Sequence, residues 1–585
     1  MGRALSLRNY DLAILAAIPV LHILINSTWA FTPYDWLDAW YYVGYGLNYS
    51  NPEFLNHYYK ISRLPWILYQ WLARSIFDPV SAAWFLQIST LIAANLFLYD
   101  GFRRLFGRDA AFIGALLFTA NLFVHANGGA DYHNALATPL LIMTWWASIY
   151  AAQAPQNWKA ETLLGVLAAL TVHTNIVMVN LAPVFAAQYL YFYHLNHGRL
   201  PNFGQSTATV AAGAIAVTAL LGLINWAVGR NFLFFMTLVN FTAVYVADPS
   251  HQKTWWNPWS NGWYWTKQYL GQFVGGLILA ALICIDVWRQ RTQRSSVDRA
   301  ALVLAISYIA AAAIWLGWQT AGHTALDWPY FALPLAIPLS ILGGAAAARW
   351  LNVSFTSTLS WRFIAATLTL APLFLFPYGI SAILDRLSGP IVPAIIFSAA
   401  ALAAFLGRSR LIGAVLFVCL TTAGHLLYGA TAKWFAFDRC DAAANLTKSI
   451  DRAHRYLREQ GVPFGQIQIM GELSETIPSG MRCTHSASVA NMQNIGSAIT
   501  STGFGYLAAP WVAKDIAGIP DTRIAEVNAG DNLIAFVTND DARIERLIAR
   551  MSSMGPQYAV TKGSGFGAGP VRFQVYLLKR VGSAS

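Results

Sequence analysis

The sequence predicts an α-helical polytopic membrane protein that ends in a small α/β domain. Three observations carry this reading. Of 585 residues, 56% are apolar and only 11% charged, and the mean hydropathy is +0.44. Soluble, disordered and disulfide-framework chains do not have that balance. Apolar runs of about 20 residues recur, each long enough to cross a hydrocarbon core of about 30 Å. Charge density then rises near residue 434. Residues 1–433 hold 37 charged side chains, whereas the 152 residues of 434–585 hold 28. The first part suits lipid and the last part water, which gives two domains, 1–433 and 434–585.

Thirteen spans are expected, near 10–31, 80–99, 110–127, 133–152, 161–174, 176–193, 207–229, 269–288, 300–320, 329–348, 363–380, 390–407 and 411–432. The run 10–31 is long for a leader and reads as the first span. The division within 161–193 is open, since one kinked helix would also fit. With Arg3 and Arg8 inside, 15 Lys and Arg of the membrane part fall on the inner side and 8 on the outer side, as the positive-inside rule requires. The net charge of +11 is then a topology signal and does not call for nucleic acid. An odd number of spans sends 434–585 outside. Asp35, Asp38, Glu53, Asp78, Asp131, Asp248, Asp327 and Asp385 also fall outside, with His133, His173 and His323. Ionisable groups gathered at one face mark a pathway or an active site; solvated loops are the plainer alternative.

Two outer loops are too long to be simple connectors. Residues 32–79 are rich in Trp, Tyr and Pro and are expected to hold short interfacial helices. Residues 230–268 carry Trp255, Trp256, Trp259, Trp263, Tyr264 and Trp265, which fit either an aromatic anchor at headgroup depth or a flap over a lipid-fed cavity. In the tail, helices are expected over 445–460 and 540–551, and strands over 466–470, 532–538 and 573–579. The run Gly563-Ser-Gly-Phe-Gly-Ala-Gly569 lacks a P-loop lysine and reads as a flexible turn. Cys440 and Cys483 share the outer domain, where a disulfide is permitted. Cys284 and Cys419 lie within spans as packing residues, and no Cys/His spacing fits structural zinc.

The chemistry concentrates just after the first span. Asp35 and Asp38 are three residues apart, which on a helix places both carboxylates on one face. Such a pair suits a general base for an acceptor hydroxyl, or oxygen ligands for a divalent cation such as Mg or Mn. It also suits an interfacial helix with Asp as cap. Lys60 and Arg63 follow on the same side, where cations suit a phosphate or simply snorkel.

An acid after the first span, a tyrosine four residues later and a basic-x-Pro element before the second span resemble the GT-C glycosyltransferases. The likeness is to the branch of lipid A aminoarabinose transferases and protein O-mannosyltransferases. Asp38 to Tyr42 keeps the family's acid–tyrosine spacing, with Ala39 in place of a second acid. Ser62-Arg-Leu-Pro65 stands where the family has Lys-Pro-Pro. Asp131-Tyr-His-Asn-Ala-Leu-Ala-Thr-Pro139 is similar to the family's second acidic element, and His323-Thr-Ala-Leu-Asp-Trp-Pro-Tyr330 to its later basic-then-Tyr element. The resemblance implies Asp38 as base with Asp35 as rival, and Asp131 as an orienting acid. It implies Lys60, Arg63 and His323 on the donor phosphate, and His133, Tyr42 and Tyr330 near acceptor or sugar. Asp131 as a helix cap and His323 as an ordinary loop histidine remain open.

The function this implies is inverting transfer of a monosaccharide from a polyprenyl-phosphate donor to an envelope lipid, polysaccharide or protein. It would take place at the outer face of a bacterial inner membrane. A flippase of lipid-linked glycans would instead need ionisable groups at mid-membrane and inverted repeats, neither of which is evident. An envelope polysaccharide ligase or polymerase is the third reading, against which the two first-loop aspartates argue.

Overall fold

The computed structural model describes residues 11–20, 37–50, 52, 59–119, 124, 132–154, 157–247, 264–289, 295–320, 329–351, 452, 455–457, 459–462, 467–470, 521–529, 533–538, 541–568 and 571–581. The expected spans 363–380, 390–407 and 411–432, and Cys419, Cys440 and Cys483, lie outside these residues.

The described membrane part is a helical bundle. Its helices are α1 (Asp11–Val20), α2 (Leu37–Asn48), α3 (Leu64–Ile76), α4 (Pro79–Phe106), α5 (Arg108–Thr119) and α6 (Asn134–Gln153). They continue as α7 (Trp158–Thr174), α8 (Ala182–His197), α9 (Phe203–Ala227), α10 (Met236–Ala247), α11 (Tyr264–Arg289), α12 (Ser296–Thr320) and α13 (Pro329–Leu351). Among the described residues, Val80–Phe106, Asn134–Gln153, Ile176–His197, Phe203–Ala227 and Ser296–Trp318 are long and apolar enough to cross a membrane. The chain is a multi-pass membrane protein.

Helix boundaries follow local chemistry. Asp78 caps α4, its carboxylate accepting from Val80 N and Ser81 N, with Pro79 in the first turn where its missing N–H is harmless. Asn157 caps α7 and Asn202 caps α9 in the same way. The open question at 161–193 resolves into two helices. Asn175 takes an extended backbone, φ −148° and ψ 107°, ends α7 and caps a short 3-10 turn over Ile176–Leu181 that leads into α8. Its amide also donates to Asn134 Oδ1 at 2.9 Å, tying the break to the start of α6. Helices α7 and α9 touch backbone to backbone. A Cβ on Gly213 would lie 2.2 Å from Thr162 O, and one on Gly165 would lie 1.9 Å from Val210 O. Small residues at such crossings are what permits close approach in lipid.

At one end of the bundle, fully buried Asp11 holds Arg108 through two hydrogen bonds, 2.5 and 2.7 Å, and accepts from the Tyr99 hydroxyl at 3.1 Å. The clamp ties α1 to the turn between α4 and α5. The two partners are unequal, because Arg108 is partly exposed and Asp11 is not. Arg108→Ala removes a cation from a buried carboxylate and is expected to cost about 3 kcal/mol; Asp11→Ala leaves an arginine that can reach solvent and costs roughly half as much. Thermal unfolding in detergent checks this, and equal melting temperatures for the two variants would contradict it.

In the tail the described residues form a four-stranded sheet of order β1-β2-β4-β3, with β1 (Ile467–Met470), β2 (Leu533–Thr538), β3 (Tyr558–Ala568) and β4 (Val571–Arg580). Strand β1 pairs parallel to β2, whereas β2–β4 and β3–β4 are antiparallel. Helices α14 (Asp521–Ala529) and α15 (Asp541–Met554) bury Ile524, Ile544, Leu547 and Met551 against Ile534, Tyr576 and Leu578. The glycine-rich run departs from its sequence reading. Residues through Ala568 continue strand β3, with a register shift between Lys562 and Gly565. Glycine tolerates that irregularity and still donates to its neighbour strand, so composition alone mistook a bulged edge strand for a turn.

Candidate active site

Helix α2 is built around a tyrosine stripe. Tyr42, Tyr45 and Tyr49 recur at helical spacing and are all buried, so their side of the helix faces the bundle. After it, Tyr59–Ser62 forms a 3-10 turn, and Arg63 caps α3 without using its side chain for the cap. Lys60 and Arg63 are thus presented from one tight turn, where residues three apart eclipse. Pro65 in the first turn of α3 fixes where that helix begins. On the facing side, Tyr132 and His133 lie just before α6.

These elements converge. Nη1 of Arg63 lies 2.5 Å from Nδ1 and 2.7 Å from Nε2 of His133, so whichever ring nitrogen lacks a proton accepts from the guanidinium. Tyr42 sits 5.4 Å from the His133 ring and 5.8 Å, edge-on, from Tyr132. The Lys60 ammonium lies 4.9 Å from the Tyr41 ring centre, 5.7 Å from Tyr59 and 5.9 Å from Tyr42. The Arg63 guanidinium is 5.7 Å from Tyr42. Lys60 is only 1% exposed. Burying a lysine and an arginine in one turn is costly. Aromatic faces recover part of that cost, and an anion seated between them would recover more.

His133 is fully buried, one residue before the span Asn134–Gln153. Burial, then the charges of Arg63 and Lys60, hold its imidazole well below the ordinary 6.5. The folded chain therefore keeps the ring neutral, while the unfolded chain protonates it near 6.5. This contribution to stability is complete above about pH 6.5 and is lost as pH falls, because the unfolded state then binds the extra proton. The expected slope is at most about 1.4 kcal/mol per pH unit. Melting temperatures from pH 8 to pH 5 test it: His133→Gln should flatten the acid limb, and an unchanged limb would refute the assignment.

A neighbouring network escaped the sequence reading. Arg230, buried, donates from Nε to Tyr49 O at 3.2 Å, and its guanidinium lies 5.7 Å from the Tyr49 ring. The Tyr49 hydroxyl donates to Asn225 Oδ1 at 3.3 Å, and burial pushes it up to about 12. The chain after α9 thereby folds back on α2. It continues as α10, where Phe241 stacks on Tyr59 at 3.9 Å, directly beside Lys60. His173 belongs to the last turn of α7, bonded to Thr218 at 2.8 Å and 5.0 Å from the Phe234 ring. An arginine directly after a span's end is the one sequence cue that pointed toward Arg230.

Of the residues singled out from sequence, Tyr42, Lys60, Arg63 and His133 are brought together. Asp38 lies on the backbone of α2 one turn before Tyr42, and Tyr330 on the first turn of α13. Asp35, Asp131 and His323 lie outside the described residues. Among the described residues, no group of three or more His, Cys, Asp or Glu is placed to hold a metal.

Residues 64–202, from the start of α3 to the cap of α9, match the family of dolichyl-phosphate-mannose-protein mannosyltransferases. The solved structure of ArnT from Cupriavidus metallidurans bound to undecaprenyl phosphate is similar at 13% identity over 98% of both chains, with a TM-score of 0.51. The chain has the GT-C fold. Apo ArnT from the same organism is similar at 13% identity and 98% coverage of both chains, TM-score 0.45. The apo oligosaccharyltransferase of Archaeoglobus fulgidus is similar at 13% identity, over 96% of this chain and 74% of that one, TM-score 0.39. None of the curated protein sequences matches this one significantly. In this GT-C chain the cationic cluster lies at the end of the bundle where α6 begins and α7 ends.

Proposed function

We propose that the chain is a membrane glycosyltransferase. It moves one monosaccharide, a hexose or a pentose, from a polyprenyl-phosphate donor to an envelope lipid, polysaccharide or protein, with inversion. The site faces the outer side of a bacterial inner membrane. The observation that carries this reading is the convergence of Tyr42, Lys60, Arg63 and His133, drawn from three separate segments, into one buried cationic cluster with aromatic neighbours. The GT-C architecture and the undecaprenyl phosphate bound by the similar ArnT support it.

The chemistry asks little more of the protein. An acceptor hydroxyl attacks the anomeric carbon, its proton passes to a carboxylate, and the bond from that carbon to the phosphate oxygen breaks as the new glycosidic bond forms. Lys60 and Arg63, with His323, stabilise the charge that grows on the leaving phosphate. His133 orients Arg63, and Asp38, with Asp35 as rival and Asp131 behind, supplies the base. Tyr42 and Tyr330 line the sugar and acceptor side. With a single carboxylate as base and two cations on the phosphate, no divalent ion is needed. EDTA should therefore leave the rate unchanged, and loss of activity restored by Mg or Mn would transfer Asp35 and Asp38 to a metal-binding role.

The direct test compares envelope lipids, polysaccharides and glycoproteins by mass spectrometry in a deletion strain and its wild-type complement. One hexose- or pentose-sized mass should vanish on deletion and return on complementation, and the shifted species identifies the acceptor. An unchanged glycan profile in the deletion strain would remove the transferase reading.

A further inference from the structure

A cavity of about 430 Å³ lies among α6, α7, α8 and α9. Its walls are almost wholly apolar, with Leu141, Ala168, Met178, Phe185 and Ala211 among them. The hydroxyls of Thr144 and Thr171 on its wall bond to each other at 2.9 Å and to carbonyls of their own helices, so they ask nothing of an occupant. Val179 and Phe203 line the cavity and are 46% and 54% exposed on the outside of the bundle, so it communicates with the surrounding lipid. A cavity of this size and lining is within the range of ligand sites.

One end of the cavity is polar. Tyr189 and Ser206, both lining residues, donate to Oε1 of Glu161 at 2.8 and 2.6 Å. Glu161 is only 4% exposed, and its Oε2 has no hydrogen bond among the described residues. Two neutral hydroxyls stabilise a buried carboxylate without neutralising it; a cation does both. Glu161, in the first turn of α7, lies at the opposite end of the bundle from His133. The 20 residues of α6 separate them by about 30 Å. Trp158, exposed, and Lys159, 5.7 Å from the Trp158 ring, stand one turn before Glu161. A Trp–Lys pair in that position marks headgroup depth.

We propose that this cavity is a site for a bilayer phospholipid with a primary-ammonium headgroup, its acyl chain within the walls and its ammonium on the Glu161 carboxylate. The apolar walls select a hydrocarbon chain. The carboxylate selects a cationic head over an anionic one, and its open oxygen selects a head that donates hydrogen bonds over a quaternary ammonium. Lys159, at the same depth, suits the phosphate of the same lipid. The headgroup end of the site, at Glu161, lies at the opposite end of the bundle from the cationic cluster, and the proposal does not depend on the transferase reading.

The test is native mass spectrometry of the full chain released from nanodiscs of phosphatidylethanolamine, phosphatidylcholine or phosphatidylglycerol. The ethanolamine lipid should be retained roughly tenfold over the other two, as expected for one charge-assisted contact in a dry site. Glu161→Gln, which keeps the side-chain size, should abolish the preference at unchanged melting temperature. Ala211→Phe, which fills the cavity, should reduce retention of all three. Equal retention of phosphatidylglycerol, or an ethanolamine preference that survives Glu161→Gln, would overturn the proposal. So would competition by added polyprenyl phosphate, which would make the cavity part of the donor site.

Discussion

Arg63→Lys is expected to lower kcat/KM for glycosyl transfer by about a hundredfold, and Arg63→Ala by about a thousandfold. Lysine keeps the charge and loses the planar fork, which can hold a phosphate through two hydrogen bonds while one nitrogen stays against His133. If Arg63 works mainly on charge that develops as the phosphate leaves, kcat falls with kcat/KM; if it only binds the donor, KM rises alone. Lys60→Met separates the second cation. It keeps a chain of similar length and removes the point charge held among the Tyr41, Tyr42 and Tyr59 rings, so its effect should be smaller than that of Arg63→Ala. Initial rates of purified protein in nanodiscs with a polyprenyl-phosphate sugar read both. Arg63 variants within about twofold of wild type would take the phosphate away from this pocket.

Most of the membrane architecture was legible because lipid leaves a chain few options: apolar runs of fixed length must be helices. The runs at 80–99, 207–229 and 300–320 appear as α4, α9 and α12; α4 runs on to Phe106, and the caps Asp78 and Asn202 set where α4 and α9 begin. The cationic cluster was legible in its members, since Lys60 and Arg63 stand three residues apart just before a proline in a long loop. The Arg63–His133 contact was not, because two residues separated by 70 positions carry no local signal of meeting. Arg230 was missed for a related reason. As one more basic residue beside a span end it read as a topology marker, and only the fold-back onto Tyr49 shows it buried. Glu161 was likewise invisible, because an acid at the start of an apolar run looks like a helix-end charge until Tyr189 and Ser206 close over it.

Asp38→Asn is expected to lower kcat by about a hundredfold to ten-thousandfold, the range for loss of a positioned general base. Helix α2 runs Leu37–Asn48, so residue 38 lies one turn before Tyr42 on the same face, and Tyr42 is the residue that contacts His133, Lys60 and Arg63. A base there would stand one helical turn before Tyr42, next to the cations proposed to bind the phosphate. Asparagine keeps the shape and cannot take the proton, so binding of donor should survive while turnover fails. Asp35→Asn and Asp131→Asn separate the rivals. Asp35 precedes Asp38 by three residues and would replace it as base if its variant alone is inactive. Asp131, adjacent to Tyr132 and His133, should have a smaller effect if it only orients them. The rate of the wild type should rise with pH along its acid limb as the base ionises, and that limb should vanish in whichever variant has lost the base. If Asp38→Asn and Asp35→Asn both turn over at the wild-type rate, neither carboxylate takes the proton, and the base for transfer lies elsewhere.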